Sequence, residues 1–430
     1  MTATSSTSNS DTTGPDTSNS TGQLDWTHLD HLPAGLLSAI SAAVARRIFL
    51  NAVRELDVTV RVEGRVVGRG GPEMVIHRPD ELFGRLGRDK SIGFGEAYLT
   101  GAWSAPDLAG FLTVLARDLA QLVPAPLQAL RRLVLPRTPA RDRGGRQDTR
   151  RNISHHYDLS NEFFALFLDP TMTYSSAWFE TDVLGRPMRD GDLEHAQRRK
   201  LIALLDLARV EAGSRVLEIG TGWGELAIQA ARRNAHVRTV TLSVEQRDLA
   251  RQRIAAAGLA DRVEVELCDY RDLRGQYDAV VSVEMVEAVG WRHWGDYFGV
   301  LERVLAPGGA VALQAITMPH ARMLATRDSY TWITRYIFPG GFLPSIEALT
   351  RTGREHGLRL THRTSLGAHY AETLRQWDER FRAASDEVAA LGFDEVFARM
   401  WHFYLEYSRA GFASGYLDDV QLRFERGRLR

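Results

Sequence analysis

Two carboxylates, Glu284 and Glu287, stand one helical step apart in "SVEMVEAVG", at the end of an apolar run that reads as a buried strand. Carboxylates so placed can accept a proton or stabilise a developing cation. A second constellation, "VLEIGTGWGELAIQAA" at 216–231, runs a strand into Gly220, Gly222 and Gly224 and then into a helix. Glycines at this spacing let the backbone turn tightly and approach a ligand, and the helix N-terminus adds amide donors. The dinucleotide-binding pattern needs its third glycine one position later than Gly224. Here the spacing is E-x-G-x-G-x-G, with Glu218 ahead of the first glycine.

The elements that must hold these residues begin at about 205. "SRVLEIG", "HVRTVTLS", "DRVEVELCDY", "YDAVVSVEM" and "GGAVALQAI" alternate with helical stretches, which predicts an α/β fold with a doubly wound parallel sheet. An aromatic-rich insertion at about 318–350 interrupts the alternation, and "LRLTHRTSL" and "DVQLRFER" supply the last strands. A smaller N-terminal α+β unit precedes this domain, over about 22–130. In it Leu37, Ile40, Val44 and Ile48 share a helical face, and Val58, Val60 and Val62 share one side of a strand. Gly93, Gly95 and Gly101 punctuate an aromatic stretch ahead of a helix capped by Ser104 or Asp107.

Residues 1–21 are almost wholly Ser, Thr, Asn, Asp and Gly and predict a disordered tail. Residues 131–151 carry eight arginines against two aspartates and read as a basic linker, either a solvated loop or a patch for anionic headgroups. The larger α/β domain then occupies 152–430. With 44% hydrophobic and 25% charged residues the composition is that of an ordinary globular protein, and a net charge of -1 predicts no bulk attraction to nucleic acid. The N-terminus lacks a secretory pattern, and no run of about 20 apolar residues stands out. A single cysteine, Cys268, excludes an internal disulfide framework.

Other chemistries find little support. No G-x-S-x-G elbow occurs, and Cys268 falls in an apolar strand, so a hydrolase reading fails. Adjacent His155 and His156 point in different directions and do not make a metal site. Trp178, Trp332, Tyr336, Phe338 and Tyr404 either wall a ligand tunnel, with cation–π capacity, or serve as core.

The E-x-G-x-G-x-G turn resembles the first motif of the class I S-adenosylmethionine methyltransferases, in which the acidic residue faces the methionine end of the cofactor. "HYDLSNEFF", "TYSSAWF", "TLSVEQ", "CDYRD", "YIFPGG" and "HYAETL" occur in the same order in the cyclopropane fatty acid synthase family, which the chain resembles from about residue 55 onward. The resemblance implies that S-adenosylmethionine is bound by Tyr157, Tyr174, Ser175, the three glycines, Thr241, Leu242, Gln246, Asp269 and Tyr270. The second strand lacks the usual acidic residue for the ribose. The implied reaction is alkylation of a cis double bond in a phospholipid acyl chain, through a carbocation.

In cyclopropane synthases a bicarbonate ion commonly serves as base, held by a cysteine position, a glutamate, a histidine and a tyrosine. Glu287 and Tyr370 match that set, whereas Ser176, Gln314 and Ala288 stand where the family carries Cys, His and His, and Glu284 is an added carboxylate. The expectation is a pocket less welcoming to bicarbonate, with Glu287, Glu284, Tyr370, Gln314 and Ser176 as its catalytic set. "SVEMVEAVG" and "VALQAITMPHARMLATR" look closest to the actinobacterial branch that makes 10-methylene acids from oleoyl phospholipid, which a separate reductase saturates to 10-methylstearate. The alternatives are a cyclopropane product, a soluble small-molecule acceptor, or a silent lipid-binding homologue. The expected setting is cytoplasmic and peripheral to the membrane's inner face; a homo-oligomer is left open.

Overall fold

The computed structural model describes residues 26–32, 34–118 and 159–427. The Ser/Thr-rich tail, the basic stretch 131–151, and His155, His156 and Tyr157 lie outside the described residues.

The N-terminal elements are α1 (Thr27–Asp30), α2 (Leu36–Val53), β1 (Thr59–Val62), β2 (Arg65–Val67), β3 (Glu73–Ile76), α3 (Pro79–Asp89), α4 (Ser91–Leu99), β4 (Trp103–Ser104) and α5 (Leu108–Arg117). Their sheet has the order β2-β1-β3-β4, with β1 and β3 parallel. Val58, Val60 and Val62 are all buried beneath it, as their alternation requires. Of the two candidate caps for α5, Asp107 is the one used: its carboxylate accepts from Gly110 N at 2.9 Å. Gly93 and Gly95 lie inside α4 rather than in a loop. A side chain at Gly93 would enter the Arg85 backbone, and one at Gly95 would enter the Trp332 ring, so close packing explains both.

The remaining elements are α6 (Asn161–Ala165), α7 (Leu193–Leu207), β5 (Arg215–Ile219), α8 (Glu225–Arg232), β6 (His236–Thr241), α9 (Val244–Ala256), β7 (Val263–Leu267) and β8 (Tyr277–Val283). They continue through α10 (Trp294–Val304), β9 (Leu305–Thr317), α11 (His320–Thr326), α12 (Trp332–Tyr336), α13 (Ile346–Glu355) and β10 (Leu358–Ser365). The chain closes with α14 (Gly367–Ala383), α15 (Ser385–Ala390), α16 (Glu395–Ala413) and β11 (Asp418–Arg426). Seven strands form one sheet in the order β10-β11-β9-β8-β5-β6-β7.

The sheet corrects one expectation, because it is mixed rather than wholly parallel. β11 runs antiparallel to both β9 and β10. The helices α14–α16 leave the sheet and return to it at the same end, where Leu366 N donates to Asp419 O and Gly367 N to the Asp418 carboxylate. A strand entering from that end must run back along its neighbours. Strand order reverses between β5 and β8, so the crevice at their carboxyl ends is bounded by the glycine turn and by Glu284.

One continuous core joins the N-terminal sheet to α12, α14 and α16, with Trp103, Phe111, Trp332, Trp377 and Phe403 all buried in it. A buried ionic knot reinforces this junction. Arg85 lies 3.7 Å from Glu96, Arg335 lies 3.3 Å from Glu96, and Tyr336 OH donates to Glu96 at 2.8 Å. Trp332 and Tyr336 therefore bind the 318–350 insertion to the N-terminal unit.

Helix α2 departs from the pattern of a core helix. Phe49 packs near Phe83 and Phe94, and Gly87 admits the Ser41 backbone, yet Val53 is its only fully buried residue. Leu36, Leu37, Ile40 and Val44 face outward, with Leu37 85% exposed. Although no unbroken apolar run marks it, α2 spans 18 residues with a mean hydropathy of 1.5, long and apolar enough by length and composition to cross a membrane. Interspersed Ser, Asn and Arg hide this in a search for unbroken runs.

Candidate active site

The glycine turn follows β5 directly, and Gly220 N and Thr221 N still donate to Val240 O of the neighbouring strand. Gly220, Gly222 and Gly224 then adopt φ of 99°, 51° and 89°, values that L side chains rarely take. Their surroundings differ. A Cβ at Gly220 would stand 2.6 Å from Met285 Cγ, and one at Gly224 would stand 3.2 Å from Ala250 Cβ, so these two glycines serve packing. At Gly222 nothing lies within 4 Å, so the backbone there is bare to open space.

Beside the turn, Glu218 is buried, and its Oε2 has no hydrogen-bond partner among the described residues. Desolvation pushes this carboxyl up to about 8, with Thr239 offsetting part of the shift. A buried acid with an idle oxygen next to a bare glycine fits a ligand that brings its own cation and donors. The residues present thus suit the amino-acid end of S-adenosylmethionine.

Further residues converge on this crevice. Thr241 Oγ1 donates to Gln246 Oε1 at 2.9 Å, Ser243 caps α9, and Leu242 is half-buried between them. Asp269 is buried, and its Oδ1 accepts from Arg271 N and Nε, both at 3.0 Å. Tyr270 sits edge-on to Tyr297 with centroids 5.2 Å apart. Cys268 stands one residue past β7 rather than inside it, half-buried, and burial raises its thiol pKa. Arg253 ties the two loops together by donating to Thr171 O at 2.8 Å and Trp223 O at 2.9 Å.

Across the crevice, Tyr174, Ser175 and Ser176 come from the segment between α6 and α7. Tyr174 OH pairs with Tyr404 OH at 2.7 Å, and its ring stacks on Trp377. Phe338 lies against Tyr404, and Trp178 lies near His369. Among the aromatic candidates, Tyr404 and Phe338 thus border the Tyr174 side of the site.

The carboxylates after β8 form the centre of a polar cluster in which Glu287 is buried and Glu284 half-buried. Glu284 adopts a left-handed backbone, φ 51°, unusual for a residue with a side chain. Its Oε1 accepts from Ser176 N at 3.0 Å and Gln314 Nε2 at 3.1 Å, and its Oε2 accepts from Tyr370 OH at 2.7 Å. Glu287 differs. Ile316 N donates to its Oε1, while Oε2 is buried without a partner among the described residues. Burial, then the charge of Glu284, pushes the Glu287 carboxyl up to about 8. Burial likewise raises Glu284, opposed by Lys200 and by its three donors. Ala288, beyond them, is exposed.

Three members of this cluster were not singled out from the sequence. Lys200 on α7 is fully buried, donates to Ser175 Oγ, and is lowered to about 8 by desolvation. Asp419 on β11 accepts from Gln314 Nε2 at 2.8 Å, and burial raises it well above the usual carboxylate range. Gln421 donates to Gln314 Oε1 at 3.2 Å and to Lys200 O at 3.1 Å. The signal for Lys200 was present: with Gln197 it falls on the same face as Leu193, Ala196, Leu201 and Leu204, all buried. Asp419 and Gln421 alternate with Val420 and Leu422 and so mimic a solvent face, but α7 covers them.

The mycolic acid cyclopropane synthetase family matches residues 145–422. The tuberculostearic acid methyltransferase of Mycobacterium tuberculosis is 56% identical over 402 residues, covering 92% of this chain and 94% of the relative. The cyclopropane-fatty-acyl-phospholipid synthase of Escherichia coli is 34% identical over 84% of this chain and 89% of its own length. Among solved structures, the cyclopropane synthase MmaA2 from Mycobacterium tuberculosis superposes with a TM-score of 0.58 at 32% identity, over 64% of this chain and 97% of that one. A mycolic acid cyclopropane synthase complexed with S-adenosylhomocysteine gives the same TM-score at 31% identity, over 64% and 98%. The reversal of strand order at the glycine turn, the fitting acid beside it and these likenesses agree: the chain belongs to the mycolic acid cyclopropane synthetase family of S-adenosylmethionine-dependent methyltransferases.

Proposed function

We propose that this protein methylates the cis double bond of an oleoyl chain held in phospholipid and releases a 10-methylene acid, the precursor of a methyl-branched chain. S-adenosylmethionine supplies an electrophilic methyl group when bound. The protein's own residues hold the acyl chain in line, exclude water and manage the charge that follows. Addition at C10 leaves a cation at C9; a 1,2-hydride shift moves it to C10, and loss of a proton from the new methyl group gives the exocyclic methylene. Cyclopropane formation would instead close the ring before the shift.

The observation that carries this reading is the environment of Glu284. Ser176 N, Gln314 Nε2 and Tyr370 OH, donors from the positions that the family resemblance assigns to bicarbonate, all point at this side-chain carboxylate. A fixed anion thus takes the donors that a diffusible one would need, and the cation meets a different electrostatic surrounding. The relative named for tuberculostearic acid, at 56% identity, favours the same product. The test is the fatty acid profile of cells or vesicles supplied with the enzyme and no reductase. Vinylic methylene protons in the NMR spectrum are expected; cyclopropane signals at high field would overturn the assignment.

The reading extends to where the protein works. The outward apolar face of α2 and the exposed Arg47 beside it suit an anionic phospholipid surface from which acyl chains are drawn. Arg46 pairs with Glu63 at 2.5 Å and Phe49 is packed inward, so α2 lies on the surface instead of spanning it. The enzyme then acts peripherally at the inner face, and a separate reductase saturates its product.

A further inference from the structure

Three carboxyl groups and one ammonium share the polar cluster, and their hydrogen bonds divide them unequally. Glu284 takes three donors and both of its oxygens are engaged. Asp419 takes one side-chain donor and also keeps Oδ1 unpartnered among the described residues, but it is wholly buried, with Gln314 bridging it to Glu284. Glu287 takes one donor, from Ile316 N, and keeps Oε2 unpartnered among the described residues. Donors favour the ionised form of the group that receives them, so Glu284 is the member built to stay an anion. Lys200 is held in the same cluster by Ser175 Oγ, and its positive charge favours the ionised form of Glu284.

We propose that Lys200 is a positioning residue that keeps Glu284 a permanent anion facing the substrate cation, and that Glu287 Oε2 is the atom that accepts the proton. This rests on the methyl-transfer reading above. In the step itself, a C–H bond of the transferred carbon breaks and its electron pair becomes the second bond of the exocyclic C=C. The proton forms an O–H bond on Glu287, which becomes a neutral acid. Glu284 cannot take this role as readily, since protonating it would forfeit three charge-assisted hydrogen bonds. Glu287 forfeits at most one and loses the repulsion of Glu284, which makes it the stronger base.

The charged and titratable groups around Glu287 are Glu284 on its own segment, Tyr297 from α10 and Asp419 from β11, while Lys200 from α7 and Tyr370 from α14 act on it through Glu284. Removing charge from this set must move the proton affinity of Glu287 in a known direction. Glu284→Gln deletes a nearby negative charge, so the rising limb of the pH–rate profile should shift to lower pH. Lys200→Met deletes a positive charge, so it should shift to higher pH. A merely structural role would lower the rate without moving either limb.

The experiment uses the full chain, oleoyl phosphatidylglycerol vesicles and single-turnover rates across pH, in buffer purged of bicarbonate. Calorimetric binding of S-adenosylhomocysteine and thermal melting are measured in parallel. Glu287→Gln should lose at least about 1000-fold in rate, a loss typical of removing a general base, while cofactor affinity changes little. Its residual product should shift toward isomers that have lost a different proton. If Lys200→Met does not fold, the double variant Lys200→Met/Glu284→Gln removes the two opposite charges together, and its limb should return toward the wild-type position. Full activity and an unchanged product in Glu287→Gln, or restoration of its rate by added bicarbonate, would overturn the proposal. A wild-type cyclopropane product would overturn only the methylene reading, because ring closure also removes a proton from the transferred carbon.

Discussion

At the scale of single residues, the three glycines of the cofactor turn separate by what surrounds them. Gly220 and Gly222 both hold positive φ, so any side chain costs about 1–2 kcal/mol in backbone strain. At Gly220 the collision with Met285 is added, whereas at Gly222 a side chain enters open space. Gly220→Val should therefore lower the melting temperature more than Gly222→Val. Gly222→Val should abolish calorimetric cofactor binding in a protein that still melts cooperatively; binding retained there would remove the turn from the cofactor path. Glu218 gives a second prediction. Its folded carboxyl titrates near 8 against an ordinary 4.5, so folding retains a proton between those values, and the stability this contributes below 4.5 is lost as pH rises through 8. A cationic ligand beside it favours ionisation. Cofactor binding at pH 7 should then release up to about one proton, read from calorimetry in buffers of different ionisation enthalpy, and Glu218→Gln should release less.

At the scale of elements, the insertion that follows β9 is held at two points. Phe342 N donates to Glu287 O at 2.9 Å, and Tyr336 OH and Arg335 grip Glu96 on α4. Glu96 is 1% exposed between Arg85 and Arg335, and since Arg85 keeps Glu81 at 3.0 Å, neutralising Glu96 removes one of its two carboxylate partners. Glu96→Gln should destabilise the protein by about 2 kcal/mol, measured by chemical denaturation. Tyr336→Phe, which leaves the charges in place, should cost about 1 kcal/mol. Equal, negligible effects would show that the insertion is anchored by its aromatic packing alone. The periodic strands around these elements were legible because alternation and apolar runs mark them directly. The antiparallel course of β11 was not, because strand direction depends on where the preceding helices deliver the chain.

At the scale of the whole molecule, one end exposes an apolar helix face while the chemistry lies in a crevice across the shared core. Leu37 and Ile40 have little to lose on substitution, being 85% and 53% exposed. Replacing both by Ser should leave the melting temperature unchanged. It should weaken partition to anionic vesicles by about 3 kcal/mol, or roughly 100-fold, given about 1.5–3 kcal/mol for burying each large aliphatic side chain. Binding by the wild type should also fall with salt, as screening shortens the reach of Arg47 and other basic groups. Unaltered vesicle binding in the double variant would assign the face to another role, such as contact between copies.

What the sequence determined by itself was whatever depends on local order: the strand and helix alternation, the E-x-G-x-G-x-G turn, and the pairing of Glu284 with Glu287 after one strand. Those features follow from side-chain period, backbone sterics and adjacency, all written along a single line of residues. Tertiary structure decided which polar groups meet. Lys200 comes from a helix 84 residues before Glu284, and Asp419 and Gln421 come from the last strand. Only the closing of the sheet turned their polar faces inward. It also decided that the two glutamates differ, since three donors from distant segments converge on Glu284 and leave one oxygen of Glu287 free of the described residues. Proton affinity in a buried site is set by such convergent donors and charges, and sequence spacing does not encode it.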